Sequence, residues 1–427
     1  MKNRTRAFSL ASLLFLLTLA GGCQLANPDA ALLASESVTS VFSPTEPEES
    51  LEEASFTATD IGSAHESTAA SASKPEHTNA TTLTAGEKGV QKKIQAALSR
   101  EEHAWKEEEA VLTFVGDCTI GSFPECRVSK RFETYFDASG SPTYPFDLVK
   151  DWFRADDRTV INFEGTLTTA TKMAEKSWRF KGRPKFAKIL SQSNVEIATL
   201  ANNHSKDYLE AGYQDTLRYL TAEQIMAGDR GRPVRFSTKG MDFVILSYNL
   251  WPVEDEAETN ADVAKICREI AREAEGEAAV IVCLHWGEEY EPVTAYQKRY
   301  ARQIIDAGAE LIIGHHPHML QGIEQYKGKY ICYSLGNFAF AGNVATRRES
   351  LETMLVRPRF SKGERHPMCT GLTIVPCFST SHANLSVNNY RPRPVFGAEA
   401  QQVMEKLQKL SSQLPNGVRK LDTDSIG

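Results

Sequence analysis

Val111-Leu112-Thr113-Phe114-Val115-Gly116-Asp117 is the stretch on which the fold turns. Five residues suited to extended backbone run without a charged break and then stop at a glycine and a carboxylate. Continuous runs of this kind fit strands buried on both faces, whereas strands of one-sided sheets alternate apolar and polar positions. Similar runs recur at 159–163, 195–200, 243–246, 279–284 and 311–313. Helical patterns separate them over 210–220, 261–274 and 296–307. Strands alternating with helices predict an α/β sandwich. Later runs at 322–325, 330–335, 371–376 and 385–389 come without long helices between them and predict a second, more antiparallel sheet. Residues 398–412 read as a terminal helix followed by a polar tail, and no internal repeat is evident.

The polar residues collect at the ends of these runs. Gly116-Asp117 closes the first, and Asn162-Phe163-Glu164-Gly165 the second. Asn202-Asn203-His204-Ser205-Lys206-Asp207 follows the third, His285-Trp286-Gly287-Glu288-Glu289 the run ending at Leu284, and Gly314-His315-His316-Pro317-His318 the run ending at Ile313. Open α/β sheets bind ligands outside the carboxyl ends of their strands. Carboxylate, amide oxygen and imidazole form a mixed O/N donor set that suits Mn, Zn or Fe better than a soft thiolate site. Two such ions about 3.5–4 Å apart can clamp a phosphoryl group and lower the pKa of a water between them.

In this order, and with Ser334-Leu335-Gly336-Asn337-Phe338 downstream, the motifs resemble the CapA family of poly-γ-glutamate capsule synthesis from about Val111 to Asn389. CapA domains in turn resemble calcineurin-like metallophosphoesterases. The resemblance implies a four-layer α/β/β/α sandwich and one or two divalent ions. It makes Asp117, Glu164, Asn203, His285, His316 and His318 metal ligands, with Glu164 in the place of a bridging Asp, and His204 the catalytic imidazole. Asp207 either orients His204 or starts the next helix. Asn337 is expected to touch the site. Asn202 is expected to shape a turn, His315 to pack or orient its neighbours rather than bind metal, and Trp286 to lie in the core, a pocket wall being the alternative. Two departures stand out. Where those metallophosphoesterases have Asp-x-His, this chain reads Asp117-Cys118-Thr119, so one metal position lacks its imidazole, and Glu164 is a methylene longer than Asp.

The segment Trp178-Arg179-Phe180-Lys181-Gly182-Arg183-Pro184 interleaves basic and aromatic residues. Arg179, Lys181 and Arg183 are candidates to bind substrate carboxylates or phosphates, the alternative being a solvated hairpin. Arg347, Arg348, Arg357, Arg359 and Arg365 read as a solvated, loop-like stretch. Glu288 and Glu289 read as solvated loop charges, although Glu289 matches a Glu-Tyr pair of the family.

The chain of 427 residues carries a net charge of −7, which gives no sign of the basic excess a nucleic-acid binder carries. Lys2, Arg4 and Arg6 precede an apolar run over 7–20 and then Gly21-Gly22-Cys23. That is the pattern of an export signal, with an apolar run short of the roughly 20 residues of a membrane-spanning helix. Small residues before a cysteine resemble a bacterial lipobox, with Cys23 the lipidated residue of an extracytoplasmic membrane lipoprotein; a plain signal peptide or uncleaved anchor is the alternative. Residues 24–110 then read as a disordered linker, poor in aromatics, with a short lead-in helix from Gly89. The folded domain is expected over 111–390, and a C-terminal helix and tail over 391–427. The seven cysteines beyond Cys23 are scattered and lack any CxxC pair, with Cys118–Cys126 and Cys369–Cys377 the local candidates for disulfides.

Two functional readings follow. One is a metal-dependent hydrolase or transferase acting on an anionic polymer such as poly-γ-glutamate or its phosphorylated precursor. The other is a non-catalytic accessory protein for assembly, export or anchoring of that polymer, within a membrane synthase complex.

Overall fold

The computed structural model describes residues 84–104, 106, 108–250, 256–340 and 347–419. The export signal, Cys23, the linker up to residue 83 and the last eight residues lie outside the described residues.

In chain order the strands are β1 (Ala110–Cys118), β2 (Arg158–Phe163), β3 (Thr166–Leu167), β4 (Lys181–Gly182), β5 (Ile197–Thr199), β6 (Met226–Gly228), β7 (Val234–Thr238) and β8 (Met241–Leu250). They continue as β9 (Ala279–Trp286), β10 (Leu311–His315), β11 (Ile323–Tyr326), β12 (Lys329–Cys332), β13 (Glu352–Ser361), β14 (Met368–Phe378) and β15 (Arg393–Pro394). The helices are α1 (Ala85–Ala104), α2 (Phe132–Ser139), α3 (Lys150–Arg154), α4 (Ala187–Gln192), α5 (Leu209–Ala222), α6 (Glu256–Ala274), α7 (Ala295–Asp306) and α8 (Ala398–Ser412).

One sheet has the order β15-β14-β13-β1-β2-β5-β6 and the other β11-β12-β10-β9-β8-β7. In the first, β1, β2, β5 and β6 run parallel and β13 to β15 are antiparallel. In the second, β8, β9, β10 and β12 run parallel between antiparallel edges β7 and β11. Three apolar cores separate the layers. Leu112, Phe114 and Ile197 of the first sheet meet Ile281, Ile313 and Phe243 of the second. Val115, Ile161 and Ala198 face outward onto Ile94, Trp152 and Leu190 of helices. Val244, Val282 and Ile312 face the other way, onto Ile266 and Ile304 of α6 and α7. Helices, sheet, sheet, helices: this is the expected α/β/β/α sandwich, and it explains why β1 is buried at all nine positions.

The structure revises parts of the sequence reading. The basic stretch is not all solvated loop, because Glu352–Ser361 forms β13, paired with β1 and β14. Alternation places Arg357 on the same side as the core residue Leu355. Its guanidinium is fully buried beside the Trp152 ring and binds Glu101 of α1, Thr113 and the carbonyls of Trp152 and Ala155. Composition hides this, since a buried arginine differs from a solvated one only in its partners. Residues 385–389 form no strand; there the Val387 N–H bonds back to the Asn384 carbonyl in a turn, and the short β15 pairs with β14 instead. The lead-in helix is found at Ala85–Ala104, packing Ile94, Ala97 and Leu98 into the helix-side core. Val403 and Leu407 of α8 enter the core between the sheets. All seven described cysteines are free, so neither candidate disulfide forms.

Candidate metal centre

The strand ends that gather polar residues in the sequence meet at one edge of the sandwich. Register does the first part. Asp117 pairs across β1 and β2 with Asn162, and His285 across β9 and β10 with His315. Beyond the strands, Asp117 forms a bridge with Asn337, its N–H donating to the Gly336 carbonyl at 2.9 Å. Glycine is required at two of these approaches. A Cβ on Gly116 would lie 2.0 Å from the Gly336 carbonyl oxygen, and one on Gly314 2.0 Å from that of Tyr333. His316 and His318 hold φ at +97° and +55°, a region non-glycine residues rarely occupy, so the loop after β10 aims its imidazoles at the expense of backbone comfort.

Asp117 and Glu164 are both fully buried. One Asp117 oxygen lies 3.2 Å from His315 Nδ1 and accepts from Asn162 Nδ2 at 3.0 Å. The other lies 3.2 Å from His318 Nδ1 and accepts the His316 N–H at 3.3 Å. Glu164 Oε1 accepts from the same Asn162 amide at 2.8 Å, whereas Glu164 Oε2 is buried with no hydrogen-bond partner. Ligand atoms of Asp117, Glu164 and His318 fall within 4.8 Å of one another. Alongside them His285 Nε2 stands 3.0 Å from Asn203 Oδ1, and the His285 and His316 rings are 4.6 Å apart.

The electrostatics are those of a cation site. Burial opposes charge on Asp117, but hydrogen bonds and charge from His315 and His318 outweigh it and hold the carboxyl well below its ordinary range. Glu164 is driven well above its ordinary range by burial and then by the charge of Asp117. Burial, reinforced by neighbouring imidazoles, pushes His285 well down and His316 to about 3. Neutral imidazoles next to crowded, partly orphaned carboxylates are what a divalent cation would satisfy. The donor set is hard and borderline rather than thiolate, because burial pushes the adjacent Cys118 thiol up.

His204 stands beside this cluster. Its Nδ1 is 2.9 Å from Asp207 Oδ2, which also accepts the Phe180 N–H at 2.6 Å. Lys176 pairs with the other Asp207 oxygen, donates to the Asn203 carbonyl at 2.7 Å and lies 3.3 Å from His204 Nδ1. Asp207 orients His204, and α5 begins two residues later. Asn202 shapes the turn, accepting the His204 N–H at 3.0 Å and donating to the Phe163 carbonyl. Asn337 Oδ1 faces His318 Nδ1 at 2.9 Å. A small cavity of about 70 Å³ opens here, lined by Trp178, Phe180, His204, Glu289, Tyr290, His318, Phe340 and Arg347.

The proposed substrate cations are placed differently. Arg179 pairs with Glu125, and Arg183 binds Asp137 through both terminal nitrogens. Lys181 donates to the Ala170 carbonyl and covers the Tyr208 ring. Lys181 and Arg183 line a separate, open cavity of about 480 Å³ with Arg131, Thr168 and Asp137, which shares no lining residue with the metal-side cavity. Period-two alternation sends Phe180 to the metal side and Lys181 away from it. Trp286 lies in the core, donating to the Tyr333 carbonyl at 3.0 Å.

Three residues went unassigned in the sequence. Asn162 ties Asp117 to Glu164 and was visible only as part of a strand-end motif. Lys176 lies in a loop with no periodic signal. Arg347 is exposed, as its stretch suggests, and also lies over the Tyr290 ring, 4.3 Å from its centroid.

The chain is similar to known proteins over the region that holds these residues. The chain is 30% identical over 256 residues to "PGA biosynthesis protein CapA" of Bacillus subtilis, covering 56% of this chain and 65% of that protein. It is 27% identical over 256 residues to "Capsule biosynthesis protein CapA" of Bacillus anthracis, covering 55% and 60%. A "Probable polyglutamine synthesis accessory protein" of Mycobacterium tuberculosis is 26% identical over 211 residues, covering 43% and 55%. The chain thus spans less than two thirds of the length of these relatives. Among solved structures, the calcineurin-like phosphoesterase YfkN of Bacillus subtilis superposes with a TM-score of 0.39 at 12% identity, covering 70% of this chain and 97% of that one. Residues 111–342, which hold Asp117, Glu164, Asn203, His285, His318 and Asn337, match the family model "Bacterial capsule synthesis protein PGA_cap", and the chain belongs to that family.

Proposed function

We propose that this protein is a metal-dependent hydrolase or transferase of poly-γ-glutamate capsule synthesis, acting on the anionic polymer or its phosphorylated precursor. The observation that supports this reading best is the buried group of Asp117, Glu164 and His318, with an orphaned carboxylate oxygen and neutral imidazoles beside it. Asp117, Glu164, Asn203, His285, His316 and His318 would hold one or two divalent ions, Mn, Zn or Fe by donor chemistry. Such an ion, when bound, polarises a phosphoryl or carbonyl oxygen and makes water a nucleophile at neutral pH. His204, held at Nδ1 by Asp207, presents Nε2 to exchange a proton with the leaving group. Phe180 and Phe340 flank His204 and His318 and exclude bulk water from that exchange.

The same reading places the protein outside the cytoplasm, anchored through lipidated Cys23 and working beside a membrane synthase. Among the described residues no helix is long and apolar enough to cross a membrane. Mass analysis of the mature amino terminus tests the anchor.

Bound metal and phosphodiester hydrolysis, measured on purified protein, test the chemistry. His318→Ala should lose both metal and turnover; His204→Ala should keep the metal and lose turnover by about 10²–10⁴-fold. A metal-free, inactive wild type whose deletion still stops polymer production would favour the accessory role, the role named for the mycobacterial relative.

A further inference from the structure

Among the described residues, Arg347 is the one guanidinium lining the cavity beside His204 and His318. Its planar group covers the Tyr290 ring at 4.3 Å. A cation–π contact uses none of a guanidinium's N–H donors in a hydrogen bond to an oxygen, and their fork matches the oxygens of a carboxylate or phosphate. Arg179 and Arg183, by contrast, already spend theirs on Glu125 and Asp137. Among the described residues no carboxylate pairs with Arg347.

Tyr290 is itself fixed. It sits at φ +62°, and its N–H donates at 2.8 Å to the carbonyl of Pro317, between His316 and His318. Its ring centroid is 6.0 Å from that of His318. The backbone that places the candidate ligand His318 therefore also places the platform under Arg347. Arg347, His204 and His318 line the same cavity, so an anionic group on a ligand held there would meet this fork. Glu289 lines the same cavity and opposes a second anion.

Building on the hydrolase reading, we propose that Arg347, stacked on Tyr290, is the specificity residue of this site and recognises an oxyanion on the substrate next to the group undergoing reaction. A carboxylate side chain and a phosphoryl group share the required chemistry.

Titration calorimetry on the full, metal-loaded chain separates the sources with three probes: γ-linked pentaglutamate, the same peptide with its carboxylates amidated, and inorganic phosphate. Pentaglutamate should bind wild type and bind Arg347→Ala at least roughly tenfold more weakly, the scale of one charge-assisted hydrogen-bonding group. Arg347→Lys should recover part of the loss, Glu289→Gln should tighten binding, and the amidated peptide should not distinguish wild type from Arg347→Ala. An Arg347-dependent loss seen with phosphate alone assigns the oxyanion as phosphoryl. If neither anion binds wild type, or both bind Arg347→Ala as tightly as wild type, the proposal is overturned. Arg347 is exposed, so these variants should fold. Metal content, measured separately on each, keeps the two readings apart: absent metal sinks the hydrolase reading, whereas loaded metal with unchanged anion affinity sinks this one.

Discussion

Glu164→Gln gives the sharpest test of a cation site because it should act in opposite directions with and without metal. Glutamine preserves shape and the acceptor that Asn162 Nδ2 meets at 2.8 Å, and removes only the charge facing Asp117. Glu164 is held well above the ordinary value of 4.5, by burial first and Asp117 second. A carboxyl whose folded value is raised binds more protons in the folded state, so stability falls as pH rises from the unfolded value towards the folded one. The slope is at most about 1.4 kcal/mol per pH unit. That is roughly 3–6 °C in melting temperature per pH unit above about pH 4.5, at 2–4 °C per kcal/mol. Metal-free Glu164→Gln should lose this descent and melt above metal-free wild type at pH 7. Asp117 behaves oppositely: it contributes stability above its ordinary 3.8 that disappears only in stronger acid, and the variant leaves this arm in place. Metal at 100 times its Kd should raise wild type by about 2.7 kcal/mol, or roughly 5–10 °C. The variant, with one anionic ligand gone, should show little of that rise. Differential scanning calorimetry with chelator or manganese, from pH 5 to pH 8, reads all four curves. A variant that melts lower than wild type without metal, yet keeps the full metal-induced rise, would refute the reasoning.

Lys176→Met should leave metal content unchanged and lower kcat by about tenfold, because Lys176 fixes Asp207 and the Asn203 carbonyl around His204; an unchanged kcat would show that Asp207 alone orients the imidazole. Arg357→Met leaves Glu101 buried and unpaired beneath α1, so unfolding free energy should drop by about 3–5 kcal/mol, while Arg357→Met with Glu101→Leu should recover most of it in denaturant titrations. Among the described cysteines, thiol labelling of folded protein should modify Cys267 first, since it alone is partly exposed while burial carries Cys283 and Cys369 to about 12. Rapid labelling of Cys118 without denaturant would mean that the metal edge opens.

What the sequence made legible depended on whether a residue's role was local. The buried strands declared themselves through uninterrupted apolar runs, and the strand-end motifs pointed at one edge of the sheets because parallel strands must all finish on the same side. Asp117, Glu164, His285 and His318 lie in such motifs, and the fold brings them together. Lys181 and Arg183 lie one and three residues beyond Phe180, close enough in sequence to share its neighbourhood, yet a two-residue strand turns them to another cavity. Arg347 and Arg357 were indistinguishable as letters. One lies on an aromatic ring beside the site and the other is sealed between sheet and helix, and only partners more than fifty residues away make the difference.

That contrast bears on how the edge is built. Asn162 has no charge and no ligand role in any motif, but its single amide spans Asp117 and Glu164, and its carbonyl oxygen accepts from Asn202 at 3.1 Å. Two like-charged buried carboxylates would otherwise separate or protonate. One Nδ2 bonding both draws them together before any cation arrives. Asn202 ties this amide to the turn that carries Asn203 and His204. The candidate ligands of the first sheet are therefore coupled through carboxamides, whereas His316 and His318 of the second depend on the strained loop after β10. Charge must then be balanced across the gap between the sheets. A cation drawing on Asp117, Glu164 and His318 would bridge that gap and so would fasten the two sheets to each other.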